Sequence, residues 1–269
     1  MDSSRFLECL EADYRRIREV APGHLDAVVP TCPDWTVADL VRHIAQVYLH
    51  KAEIMRHGEQ PEEWPPAGFG AAEPLALLDR CYAELRAEFD ARGPGDTVST
   101  WYGPDQTAGF WIRRMAQETV IHRIDAELGA GALVAPVPDD LAVDGIDELL
   151  KIFVGWAFSQ WPEDFTAALR DSPGHGYAIR ADPGAGLPGT SWLVRTAPDR
   201  LSVEGGPGGE TDGAVAVDVT VSGPPAAVLR WAWNRGPAAT AAGPAGALVT
   251  DGDLAALEEL RRCVVEATQ

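Results

Sequence analysis

Three residues of this 269-residue chain combine types and spacing that suit metal chemistry. Glu118 and His122 stand four apart, so on a helix they rise from one face, and Met115 and Asp125 extend that face at three-residue steps. His43 lies beside the apolar line Leu40, Ile44 and Val47 of another segment with helical periodicity, which turns it inward or toward the mouth of a bundle. Two imidazoles and a carboxylate from two helices give a divalent ion three protein ligands and leave a position for water or substrate, as catalytic zinc sites do. The spacing alone also fits a plainer arrangement, with Glu118 and His122 as a solvated surface pair and His43 bound to a backbone carbonyl. His50, seven residues after His43, is a rival ligand; His57 sits near a helix end, and His24 and His175 fall in expected loops. Asp125 would support a ligand or pair with Arg123 or Arg114.

An ion held by two neutral imidazoles and one carboxylate keeps net positive charge, so a thiol entering its open position loses its proton near neutral pH. Cys9, Cys32, Cys81 and Cys263 all lie away from the three ligands in sequence, and the thiol is therefore expected from a cosubstrate. Their wide separation, with no C-x-x-C pair, suggests neither a zinc ribbon nor a disulfide framework.

The elements that must position these groups are legible as periodic segments. Phe6, Leu7, Leu10, Tyr14 and Ile17 mark a helix over 4–20. Thr36 answered by Asp39 is a capping box that opens a second helix running to Gly58. Trp35 before it is read as a staple. Pro74 opens a third helix, closed by Gly93, and a fourth runs from about Thr107 to Leu128. The loop 96–106 precedes that fourth helix, and Trp101 and Tyr102 are expected to wall the site. Four such helices predict an up-and-down bundle. A fifth helical segment, 139–160, is read as a connector packing on both parts. Beyond it GYAIRA, TSWLVRT, RLSVEG and AVAVDVTVSG alternate as strands do, followed by helices over 224–234 and 251–267. The expectation is an α bundle over 1–164 and a small α+β domain with an antiparallel sheet over 165–269. The Gly/Pro-rich stretches 205–213 and 236–246 read as loops.

Composition sets the outer bounds. Hydrophobic residues at 46% supply a core, and a net charge of −19 repels a nucleic-acid backbone. No run of eighteen apolar residues occurs, and the acidic start MDSSRFLECLEADYRR lacks a signal-like block, so a soluble cytoplasmic protein is expected. Only Lys51 and Lys151 are lysines among 22 Lys and Arg residues.

VPTCPDWTVADLVRHIAQVYLH (29–50) and RRMAQETVIHRIDAELGAG (113–131), with DGIDELL (144–150), resemble the signature stretches of the mycothiol-dependent maleylpyruvate isomerase family in the DinB-like metalloenzyme superfamily. AVLRWAWNRG and TDGDLAALEEL are similar to the sterol-carrier-like C-terminal domain of that family. The resemblance implies a DinB-like four-helix bundle, a metal triad of His43, Glu118 and His122, zinc as the metal, and mycothiol as thiol cosubstrate. It places Arg235 on a family arginine that faces the metal site and assists catalysis by holding a substrate carboxylate or a developing enolate; an Arg favoured by a helix-end dipole is the alternative. The implied reaction is sulfur transfer or conjugation to a small electrophile, slightly preferred, or thiol-assisted cis–trans isomerisation. A non-catalytic metal- or small-ligand-binding protein is the alternative class.

Overall fold

The computed structural model describes residues 1–182, 189–209, 216–236 and 247–268. The chain divides into two compact units, Met1–Ala135 and Pro136–Gln269.

The first unit is helical. Helix α1 (Ser3–Val20) starts where the Asp2 side chain accepts from the Arg5 amide. A short hairpin comes next, β1 (Val28–Val29) and β2 (Cys32–Thr36), paired antiparallel. Helix α2 (Val37–His57) carries the expected capping box of Thr36 and Asp39 and ends at Gly58 in the left-handed conformation, φ 79°. Helix α3 (Pro74–Asp90) packs on α2, and α4 (Ala108–Gly129) packs on α1 and α2.

Helix α4 is buried on nearly every side: apolar Trp111, Met115, Val120 and Ile124 share burial with Arg114, Gln117, Thr119, His122, Arg123, Asp125 and Glu127. Polar groups taken out of water cost free energy unless partnered: Thr119 meets Tyr48, Arg123 meets Asp13 and Asp125 meets Thr31 on neighbouring elements, while Arg114 and His122 meet Glu118 on α4 itself. Thr107 caps its start, accepting from the Phe110 amide. Gly129 at its end abuts β1 and α2; a Cβ there would stand 2.7 Å from a Val37 methyl.

The second unit begins with α5 (Asp139–Glu148), continued by a π-helical segment (Leu149–Trp156) and α6 (Ala157–Gln160). The sequence reading puts this segment at the end of a first domain closing at 164. It belongs instead to the second unit, because α5 packs on α8 (Pro225–Ala232) and the π-helical segment packs on a strand and on α9 (Leu254–Ala267). After α7 (Thr166–Leu169) come β3 (His175–Ala181), β4 (Thr190–Ala197), β5 (Arg200–Gly205), β6 (Val219–Gly223) and β7 (Val249–Gly252).

The five strands lie in the order β5-β4-β3-β6-β7. The sheet is mixed rather than antiparallel: β4 takes one edge of β3, and β6 pairs parallel with β3 on the other, Ile179 opposite Val221. Strand β7 is an addition to the expected elements; its four residues complete the edge beside β6. Residues 214–215 of the AVAVDVTVSG segment, 210–213 of the expected loop 205–213 and 237–246 of the expected loop 236–246 lie outside the described residues.

Glu259 of α9 fastens helix to sheet, its buried carboxylate accepting from Ser172 Oγ at 3.0 Å, Tyr177 Oη at 2.9 Å and Thr196 Oγ1. No helix among the described residues is long and apolar enough to cross a membrane.

Candidate metal centre

His43 from α2 and Glu118 and His122 from α4 meet in the first unit. Their ligand atoms all lie within 4.8 Å of one another. His43 Nε2 stands 3.3 Å and His122 Nε2 3.2 Å from the same oxygen, Glu118 Oε1. The second oxygen of Glu118 accepts from the Arg114 guanidinium at 2.5 Å, which fixes the rotation of the carboxylate.

His122 is fixed from behind. Its Nδ1 lies 3.0 Å from Asp125 Oδ2, and the other oxygen of Asp125 accepts from Thr31 Oγ1 at 2.6 Å. A carboxylate accepts and cannot donate, so Nδ1 carries a proton toward Asp125, which leaves Nε2, the nitrogen facing Glu118, as the one whose lone pair a metal ion could take. This histidine–carboxylate pairing is the arrangement that orients metal-bound imidazoles. Asp125 thus lies against His122, as ligand support would require, while Arg123 pairs with Asp13 and Glu127.

Lone pairs converging on one point repel unless a cation lies between them, and the protein without metal can meet this need only with a proton. Burial opposes charge on His122, but Glu118 and Asp125 outweigh it and lift the imidazole to about 9. Burial likewise opposes charge on Glu118, while His122 and Arg114 hold it well below the usual carboxylate range. The donor set therefore fits a divalent cation: two imidazole nitrogens and a carboxylate oxygen, with Asp125 directing His122 and Arg114 directing Glu118.

The hairpin contributes the wall. Trp35 lies with its ring centroid 4.8 Å from that of His43 and 6.4 Å from that of His122. At the end of β2, just before α2, its ring lies beside both imidazoles, a placement the staple reading does not foresee. Trp101 and Tyr102, expected as walls, gather around Phe110 in the first turn of α4, at 5.3 and 5.5 Å, two turns before Glu118. Arg114 stands at the same four-residue step from Glu118 that links Glu118 to His122, yet the sequence reading gives it no role beyond a pairing with Asp125.

The other histidines stand apart from the triad. His50 Nδ1 meets Lys51 Nζ at 2.8 Å, His57 pairs with Glu53 at 3.1 Å, and His24 sits in the turn after α1. His175, expected in a loop, is the first residue of β3, 3.2 Å from Glu259. Arg235 belongs to the second unit, in the turn after α8, where its Nη1 donates to the Trp233 carbonyl at 2.6 Å and its own carbonyl accepts from Arg230. The preceding Asn234 takes the left-handed conformation, φ 57°, that tightens this turn.

Two family models match the chain in succession. Residues 7–127 match the mycothiol maleylpyruvate isomerase N-terminal domain, and residues 140–259 match the MDMPI C-terminal domain, the second domain of the same proteins. The chain belongs to the mycothiol-dependent maleylpyruvate isomerase family. Its fold agrees: the crystal structure of a mycothiol-dependent maleylpyruvate isomerase superimposes with a TM-score of 0.57 at 19% identity, covering 88% of this chain and 90% of that one. A His→Ala mutant of a mycothiol-dependent maleylpyruvate isomerase gives a TM-score of 0.54 at 18% identity with the same coverage. At these identities the likeness concerns the fold. No curated protein matches the chain in sequence. The family models cover both units, and the triad falls within the first of them.

Proposed function

We propose that this family member is a metal-dependent enzyme that uses a low-molecular-weight thiol, mycothiol, to isomerise a small cis-configured electrophile of the maleylpyruvate type. The observation that carries the reading is the convergence of His43 Nε2 and His122 Nε2 on one oxygen of Glu118 at 3.3 and 3.2 Å. Family membership favours isomerisation over the sulfur transfer preferred from sequence, and transfer is the outcome that a change in thiol titre would reveal.

A divalent ion held by His43, Glu118 and His122, zinc by its suitability to this donor set, supplies acidity to a bound thiol and so a thiolate at neutral pH. The protein's own residues do the rest. Asp125 holds the His122 imidazole in the tautomer with Nε2 unprotonated, Thr31 holds Asp125, and Arg114 prevents Glu118 from turning away. Trp35 covers the imidazoles with an apolar face that limits water. The cosubstrate thiolate forms a C–S bond at one carbon of the cis alkene, and the π-electron pair moves onto the conjugated carbonyl as an enolate. Rotation about the new single bond and expulsion of the thiolate then give the trans isomer, with the thiol returned. On the family resemblance alone, Arg235 would be the donor to the substrate carboxylate or the enolate oxygen, worth about 3 kcal/mol in the transition state.

The test is to follow maleylpyruvate spectroscopically with mycothiol and metal-loaded protein while titrating total thiol. Conversion that needs metal, leaves thiol constant and disappears in His43→Ala supports the reading. Thiol lost in proportion to substrate would make the protein a transferase. Tight metal with neither change would make it a binder.

A further inference from the structure

Lys51 is the charged group that neither the triad nor the fold accounts for. Of the two lysines, Lys151 pairs with Asp147 at 2.7 Å. Lys51, half-buried on α2, makes no ion pair among the described residues. Its ammonium lies 4.9 Å from the centroid of the Trp111 ring and 2.8 Å from His50 Nδ1. Burial first, and then the charge of Lys51, bring His50 down to about 4, so at neutral pH this imidazole is uncharged and accepts from the ammonium. Both neighbours steady the cation without neutralising it. Burial brings the amine down to about 8, with Glu118 acting to raise it and Arg114 to lower it, and it is mostly charged at pH 7.

Its placement relates it to the candidate metal centre. Lys51 follows His43 by eight residues on α2, about 12 Å of helix rise, and helical side chains lean back toward the N-terminus, here toward His43. On the facing α4, Arg114 and Trp111 precede Glu118 by one and two turns. Where α2 and α4 face each other the chain therefore carries, in order, the triad, Arg114 bound to Glu118, and an ammonium over Trp111 that makes no ion pair among the described residues. Beyond it the chain turns back so that Trp64 lies 4.8 Å from His50 between ring centroids. A desolvated cation lacking an ionic partner is costly to keep, and in a chain of net charge −19 it is a rare local attractor for an anion.

We infer that Lys51 binds a carboxylate of the electrophilic substrate, at the end of the molecule remote from the reacting carbon. The inference rests on the reading of the triad as the place of reaction. Trp111 serves as floor and His50 as the acceptor that aims the ammonium.

Calorimetric titration of the metal-loaded protein with adipate and with monomethyl adipate tests this without any turnover. The wild type is expected to bind the dicarboxylate at least tenfold more tightly than the ester. Lys51→Met, which keeps the apolar stem, should erase that preference while leaving metal content unchanged, and Lys51→Arg should retain most of it. Lys51→Gln provides a second neutral variant if the methionine variant does not fold. A preference undiminished in the neutral variants, or absent from the wild type, overturns the inference. Because no thiol enters the titration, a failure of the proposed isomerase chemistry would leave this result standing.

Discussion

Helix α4 carries two buried polar clusters, interleaved along the same three turns and built to opposite ends. In one, Arg123 donates to Asp13 at 2.9 Å, to Glu127 at 2.7 Å and to the Ala135 carbonyl at 2.8 Å, while Arg16 reaches Glu127 at 2.8 Å. That cluster contains its own cations and ties α1, α4 and the chain leaving α4 together. In the other, one residue away, His122 and His43 face Glu118, and the groups around them are mostly acceptors. The first cluster is electrostatically closed. The second has nitrogen and oxygen donors aimed at a common point, where a proton on His122 and the guanidinium of Arg114 balance the charge and where a divalent ion would fit. The Arg123 cluster is also the more deeply buried, with Arg123 and Glu127 almost wholly covered while His43 stays about a third exposed; charge that finds its partner within the chain supports the fold, and ligand atoms that converge at a part-open position suit a site.

This contrast can be broken most severely at Arg123. Arg123→Met leaves Asp13 and part of Glu127 buried without their guanidinium, and should lower unfolding free energy by roughly 3–5 kcal/mol in denaturant titrations while leaving activity per folded molecule intact. Glu118→Gln should do the reverse, lowering metal-dependent turnover on the order of a thousandfold, about 4 kcal/mol of transition-state stabilisation, with a much smaller change in the urea midpoint. Should Glu118→Gln prove as destabilising as Arg123→Met, the two clusters would not differ in kind.

Asp125→Asn sharpens the comparison within the site. It retains shape but loosens the partner that fixes His122, and competition with a chelator should show metal affinity weakened roughly 10- to 100-fold. A smaller effect comes from pH. Burial lifts Asp13 to about 6 against the opposing pull of Arg123. The folded protein then holds the Asp13 proton more tightly than the unfolded chain, so this residue's contribution makes stability fall as pH rises from about 4 to 6. Asp13→Asn should remove that slope from the stability profile measured between these limits. Glu118 in the metal-free protein has the opposite sign: its lowered value contributes stability above the ordinary carboxylate range that is lost in acid.

Helical spacing puts Glu118 and His122 on one face and an apolar line turns His43 inward, but that spacing equally suits a surface pair, and it is the resemblance of 29–50 and 113–131 to the family's stretches that singles out the three together. The capping box at Thr36 marks the start of α2 by local spacing. Features hidden from the sequence depend on contacts between distant segments. Trp35 precedes a helix, as a staple would, and only the hairpin's return places its ring on His43 and His122. Thr31 bonds to Asp125 across 94 residues, with no spacing that announces it. In the second unit the parallel pairing of β6 with β3 is a choice of sheet edge that alternation does not encode, and β7 is four residues long with its partner far upstream. Lys51 is visible as one of two lysines, but its significance depends on the identity of its neighbours, both uncharged at neutral pH.

Metal analysis by mass spectrometry of the purified protein, paired with zinc titration of the chelator-stripped chain and of His43→Ala, Glu118→Gln and His122→Ala, tests the central claim most directly. The account predicts one tightly bound divalent ion per chain in the wild type, and loss of that tight binding in each of the three variants. A wild-type chain that takes up no ion, or three variants that bind it as tightly as the parent, would contradict it.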